Sequence, residues 1–197
     1  DDFVRELNNF TSTGLTTLNN LNKLINKDFY VGGIINEVEH LMSKTGNGFA
    51  VFSFEDFNDQ YKFRIFGEEY LKYKHLLEEN KILRLRLTVR EGWVNKDTGR
   101  VGEPRIQFLN IELLDGIIDS NSKKITLRVD SSAIVNDDIK KLKSTLSKFK
   151  GSSPVYFDIH DSKNEFKLNM ISEDTKVNIS KELLISLEED EFLYKLN

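Results

Sequence analysis

At 197 residues, with 39% hydrophobic and 30% charged residues, the chain has the make-up of one large or two small globular domains. It contains no run of eighteen apolar residues, and Asp1-Asp2-Phe3-Val4-Arg5-Glu6 lacks the basic-then-apolar order of a signal peptide, so a membrane span and export are not expected. Without cysteine there are no disulfides and no thiolate ligands, which fits a reducing cytoplasm, while a net charge of −4 counts mildly against a nucleic-acid partner unless the cations are grouped.

In chain order, Phe3, Leu7 and Phe10 have helical spacing and Thr11-Ser12-Thr13-Gly14 breaks it. Leu15, Leu18, Leu21 and Leu24 then recur every third residue, predicting a short amphipathic segment that packs on the next domain. A long strand is expected from about Phe29 to Lys44, bent or bulged at Gly32-Gly33. Asn47-Gly48 signals a hairpin into Phe49–Phe54, and a turn through Asn58-Asp59 leads to Tyr61–Ile65, where Tyr61, Phe63 and Ile65 face inward. A helix is expected over 67–79, with Glu68 and Glu69 in the first turn where the macrodipole favours them. In the next strand Leu83, Leu85, Leu87 and Val89 point in while Arg84, Arg86 and Arg90 point out. A hairpin over 95–99 precedes a last strand, 105–114, whose alternation is too weak to orient Phe108.

Strand, strand, strand, helix, strand, strand is the order of an OB-fold, a five-stranded barrel that commonly binds single-stranded nucleic acid. Residues 116–123 read as a polar link. Beyond it come a strand at Ile125–Val129, a helix opening at Asn136 with the stripe Ile139, Leu142, Leu146 and Phe149, and a strand from Val155 to His160. A turn over 161–164, a strand to Met170, a short strand at Val177 and Ile179, and a helix from Lys181 to Glu189 capped by Ser180 complete a small α+β domain. The predicted organisation is a linker or helical segment (1–28), a mainly β barrel (29–115), a link (116–123) and an α+β domain (124–197).

The sequence offers no reacting centre. His40, His75 and His160 are scattered, with no metal-ligand spacing, no phosphate-binding glycine loop and no nucleophile elbow, so neither a metal nor another cofactor is expected. Between Lys81 and Arg105 the basic residues Lys81, Arg84, Arg86, Arg90, Lys96, Arg100 and Arg105 outnumber Glu91, Asp97 and Glu103. Outward Lys62, Arg64, Arg84 and Arg86, the turn residues Lys44 and Asn47, and Lys96, Arg100 and Arg105 near the last hairpin are the candidate phosphate contacts. Phe49 and Trp93 are the candidate base platforms. Outward cations on strands also serve simply to keep edges soluble. Glu188, Glu189, Asp190 and Glu191 surround Phe192, Leu193 and Tyr194, an acidic rim about aromatic and apolar groups that suits a protein partner better than a phosphate backbone.

Val31-Gly32-Gly33-Ile34-Ile35-Asn36-Glu37-Val38, Lys44 through Gly48, Phe49-Ala50-Val51-Phe52-Ser53-Phe54-Glu55-Asp56 and Phe63-Arg64-Ile65-Phe66-Gly67 resemble the OB domain of bacterial replicative DNA polymerase III alpha subunits. Glu69-Tyr70-Leu71-Lys72-Tyr73 matches that family's Tyr-rich helix. Ile125-Thr126-Leu127-Arg128, the helix to Phe149, Gly151 to Phe157 and Val177 to Leu187 are similar to its C-terminal domain. The resemblance implies a non-catalytic C-terminal fragment, separate from the remainder of the polymerase chain that holds the active site. Its barrel would lie near single-stranded DNA template and its last domain would bind the clamp-loader tau subunit. The Trp93–Pro104 hairpin exceeds the usual family loop, so contacts there do not transfer. On the residues alone, an anticodon-type or generic RNA-binding OB module and a purely protein-binding module remain open.

Overall fold

The computed structural model describes residues 3–94, 101–161 and 166–196, and the chain divides into two compact units, Asp1–Asp115 and Gly116–Asn197. The fold is β-rich α+β, with a five-stranded sheet in the first unit and a four-stranded sheet in the second.

The first unit opens with α1 (Val4–Phe10), whose Leu7 packs over Gly32. The leucines at every third residue then form a 3-10 helix, Leu15–Leu24, kinked at Asn20. Three residues per turn is the 3-10 repeat, so these leucines fall on one face, with Leu15 and Leu18 buried. The strands are β1 (Asp28–Met42), β2 (Gly48–Glu55), β3 (Gln60–Phe66), β4 (Ile82–Arg90) and β5 (Arg105–Leu113), in the order β3-β2-β1-β4-β5. β1 is the hub: Asp28 to Ile34 pair with β4, whereas Ile34 to Met42 pair with β2.

The irregularity expected at Gly32-Gly33 lies instead between Ile35 and Glu37. The glycines serve close approach: a Cβ on Gly32 would meet Leu7 at 2.3 Å, and one on Gly33 would meet the Glu55 carbonyl oxygen at 2.2 Å. The β1–β2 turn takes its left-handed residue at Gly46 (φ 82°) rather than at Asn47-Gly48. Gly48 is already in β2, where a Cβ would fall 2.7 Å from the Tyr70 ring.

Helix α2 (Gly67–Tyr73) continues as a single 3-10 turn, Lys74–Leu76, and stops short of the expected Glu79. Leu77 leaves helical geometry there to enter the core, which also contains Phe52, Phe54, Phe63 and the inward leucines of β4. Phe108 faces inward too. A register shift between Arg86 and Leu87 in the β4–β5 ladder places Phe108 and Ile111 on the same side, which explains the weak alternation. No ladder joins β3 to β5 among the described residues, yet Phe63 and Phe108 touch across the interior with ring centroids 5.6 Å apart. The sheet is therefore curled, so that its two edge strands meet through side chains.

The second unit opens at residues 116–123, read in the sequence as a polar link. They form α3 (Ile117–Asn121), entered through left-handed Gly116 (φ 75°), because the adjacent Ile117 and Ile118 are both buried. Strand β6 (Ile125–Asp130) crosses through α4 (Asn136–Lys148) to β7 (Lys150–Asp161), which runs parallel to it. Helix α4 opens at Asn136, as expected; Val135 takes the cap position, and its N–H donates to the Asp138 carboxylate at 3.1 Å. Gly151 lies in β7 against the backbone of Val177 and Asn178.

The two short strands expected around Met170 and Val177 form one strand, β8 (Phe166–Val177), irregular near its partner's Pro154. Helix α5 (Lys181–Glu189) begins where expected, with the Ser180 hydroxyl accepting from the Leu183 N–H at 3.4 Å. Strand β9 (Leu193–Leu196) pairs antiparallel with β6, giving the order β8-β7-β6-β9.

Candidate nucleic-acid interface

Because side chains alternate across a sheet, the inward Phe54, Phe52 and Ala50 of β2 force Ser53, Val51 and Phe49 outward. The register then writes three rows on the outer face: Glu37–Ser53–Lys62, Glu39–Val51–Arg64 and Leu41–Phe49–Phe66. Phe49 and Phe66 stack, with centroids 5.1 Å apart and ring planes at 20°, and Phe66 is 54% exposed. Arg64 is exposed one row away and Lys62 one row further, and neither makes an ion pair among the described residues. Glu37 and Glu39 lie across β2 from them, roughly 9–10 Å away at the usual strand spacing, which is close to the Debye length in physiological salt. Lys44 and Asn47 occupy the exposed turn beyond the Phe49 row, where Asn47 donates its N–H to the Ser43 hydroxyl. Lys44, Asn47, Phe49, Arg64 and Lys62 thus follow one another along the outer face, from the β1–β2 turn toward the far end of β2. Phe66, read in the sequence only as the close of a strand, joins them; its outward parity with Arg64 and Lys62 is the signal that identifies it.

The other predicted cations fall on β4 and β5. Arg84 is committed to structure. Its guanidinium donates to Glu112 Oε1 at 2.6 and 2.8 Å, lies 4.7 Å from the Tyr30 ring centroid and has a side chain only 12% exposed. Half-exposed Arg86 pairs with Asp28 at 2.9 Å. Arg105 is exposed and stands directly across the ladder from Arg90, a like-charged pair that an anion would relieve. Trp93 is 61% exposed at the base of the last hairpin, where its carbonyl accepts from the Gly102 N–H at 2.8 Å. Lys96 and Arg100 lie outside the described residues.

In the second unit, Phe192 and Tyr194 are half-buried and Leu193 is 65% exposed; the Tyr194 hydroxyl donates to Glu188 at 2.6 Å. The segment read as an acidic rim around aromatic and apolar groups is thus largely an edge strand of the domain's own sheet. Among the described residues no three His, Asp or Glu side chains come together as a metal site, and no helix is long and apolar enough to cross a membrane.

Residues 125–197 match the family model described as DNA polymerase III alpha subunit, C-terminal domain. The chain is also 22% identical over 181 residues to the DNA polymerase III subunit alpha of Bacillus subtilis (strain 168), an alignment covering 91% of this chain and 15% of that one. Similarity to the alpha subunit of DNA polymerase III therefore runs through both units, as the sequence motifs led us to expect, and the chain spans a small part of that relative's length.

Proposed function

We propose that this chain acts as a non-catalytic C-terminal region of a replicative DNA polymerase III alpha subunit in the cytoplasm. Its first unit works as an OB-type barrel that contacts single-stranded DNA template, and its second docks the clamp-loader tau subunit. The observation that carries the DNA reading is the stacked pair Phe49–Phe66 beside unpaired Arg64 and Lys62. Aromatic faces take bases while cations follow the phosphates, which is how single strands are bound without base readout. The strand order with one helix between β3 and β4, together with the inward curl of the sheet, supports the barrel reading.

In this reading Lys44, Asn47, Phe49, Lys62, Arg64 and Phe66 form the main contact. Arg105, Trp93, Lys96 and Arg100 contribute at the β4–β5 end, and Arg84 and Arg86 hold the surface together. The experiment is fluorescence anisotropy with a labelled oligothymidylate at rising salt. Lys62→Glu with Arg64→Glu should weaken binding and flatten the salt dependence, and unchanged binding by this double variant would exclude the face. Parallel titrations with single-stranded RNA separate the DNA reading from that of an RNA module, which would favour the 2′-hydroxyl.

A further inference from the structure

Strand β8 ends the second sheet, so one backbone edge of it has no partner among the described residues. Phe166, Leu168 and Met170 alternate along it and are 52%, 42% and 45% exposed. The register sets Met170 against Phe157 and Leu168 against Ile159, so these side chains lie on the face covered further in by α4. That face opens into a groove of about 420 Å³ lined by Val129, Ile139, Leu142, Leu146, Phe157 and Ile159, where Lys143 is the one charged lining group among the described residues. An exposed edge strand with one apolar face is a template for pairing with another strand.

The opposite face of the same strands carries a set of opposite charges. Asp158 on β7 lies 4.0 Å from Arg128 on β6 and 3.6 Å from Lys167 on β8, and its Oδ1 is buried without a hydrogen-bond partner among the described residues. Lys167 stands opposite His160 in the register and reaches Asp158 diagonally, so the charged set of this face ends at Lys167 on the open edge. The next strand outward would continue it with a carboxylate.

We propose that β8 accepts an added strand from a protein partner: an extended segment with apolar residues at alternate positions and an acidic residue beside Lys167. The backbone edge supplies the pairing, the apolar face between β8 and α4 receives the alternate side chains, and Lys167 sets the register. The proposal rests on the protein-docking reading of this unit and moves its contact from residues 192–194 to the opposite edge of the sheet.

The test uses the whole chain and a labelled peptide of alternating valines with one central glutamate, its lysine counterpart, and a form N-methylated at alternate amides. The glutamate peptide should bind at least tenfold more tightly than the lysine peptide. N-methylation, or Leu168→Asp with circular dichroism unchanged, should abolish binding, and Lys167→Glu should reverse the charge preference. No binding by the glutamate peptide, equal binding of all three peptides, or self-association that Leu168→Asp abolishes would overturn the proposal. Tau binding by the same variants separates the two readings. Tau that binds the native chain and Leu168→Asp equally removes β8 and leaves docking intact; tau that never binds removes the docking reading while the peptides still decide the edge.

Discussion

Phe63 on β3 and Phe108 on β5 pack edge to face, with ring centroids 5.6 Å apart, although their strands stand at opposite ends of the five-stranded order. Phe52 joins both rings, at 5.4 and 6.1 Å. With no ladder between β3 and β5 among the described residues, this aromatic contact holds the two edges together.

Phe63→Ala should therefore cost about 3–5 kcal/mol of stability, as truncation of a buried aromatic side chain typically does. Chemical unfolding of Phe63→Ala, Phe108→Ala and the double variant measures the coupling. We expect a favourable interaction of about 0.5–1.5 kcal/mol beyond additivity. Strict additivity would mean that the edges are closed by something else.

Arg84 and Arg64 should separate structural from binding cations. Arg84→Met strands Glu112, whose partner it removes, and should destabilise the first unit by about 1–3 kcal/mol with little change in oligonucleotide affinity. Arg64→Met, made at an exposed strand position, should leave the thermal midpoint in place and weaken binding. The opposite pattern would shift the nucleic-acid face to β4.

Glu69 gives a pH signature. Burial raises its carboxyl above the ordinary value, although hydrogen bonds from the Phe108 N–H and the Gln107 side chain oppose the shift. A carboxyl with a raised folded-state pKa holds its proton after the unfolded chain has released one. Its stabilising contribution is therefore present below the ordinary Glu pKa and fades as pH rises through the raised one. The difference in unfolding free energy between native protein and Glu69→Gln should decline over that window; a difference independent of pH would contradict it.

The C-terminal tail cannot be removed without consequence. Leu196 is buried and pairs with Ile125, so deleting residues 191–197 strips an edge strand and should lower the thermal midpoint of the second unit. Leu193→Ser changes only an exposed side chain and is the clean test of tail docking. Calorimetry with tau should show weaker binding if residues 192–194 are in the interface and the same affinity if the contact lies at β8.

Much of this was legible in residue order. The alternations in 61–65 and 83–89 oriented those strands correctly, and Ser180 located the start of α5, because each signal is local. Ile117-Ile118 was hidden among polar neighbours, and a two-residue apolar pair has no period to read. Phe108 could not be oriented because a bulge breaks its strand's alternation. At the candidate site, Lys62, Arg64 and Phe49 were visible as outward or turn-flanking residues. The pinning of Arg84 by Glu112 was not, since it joins two strands whose register depends on that bulge.

The division of β1 between two partners also bears on how the chain is made. A ribosome releases β1, β2 and β3 in succession, and the half of β1 from Glu37 to Met42 finds its neighbour in the next hairpin. The half from Asp28 to Gly33 has none until Ile82–Arg90 emerges. Through that interval of synthesis Phe29 and Val31, both destined for the core, belong to an open β edge. The nascent first unit is thus most exposed to mispairing while its helix is being translated, and a pause before β4 would lengthen that exposure.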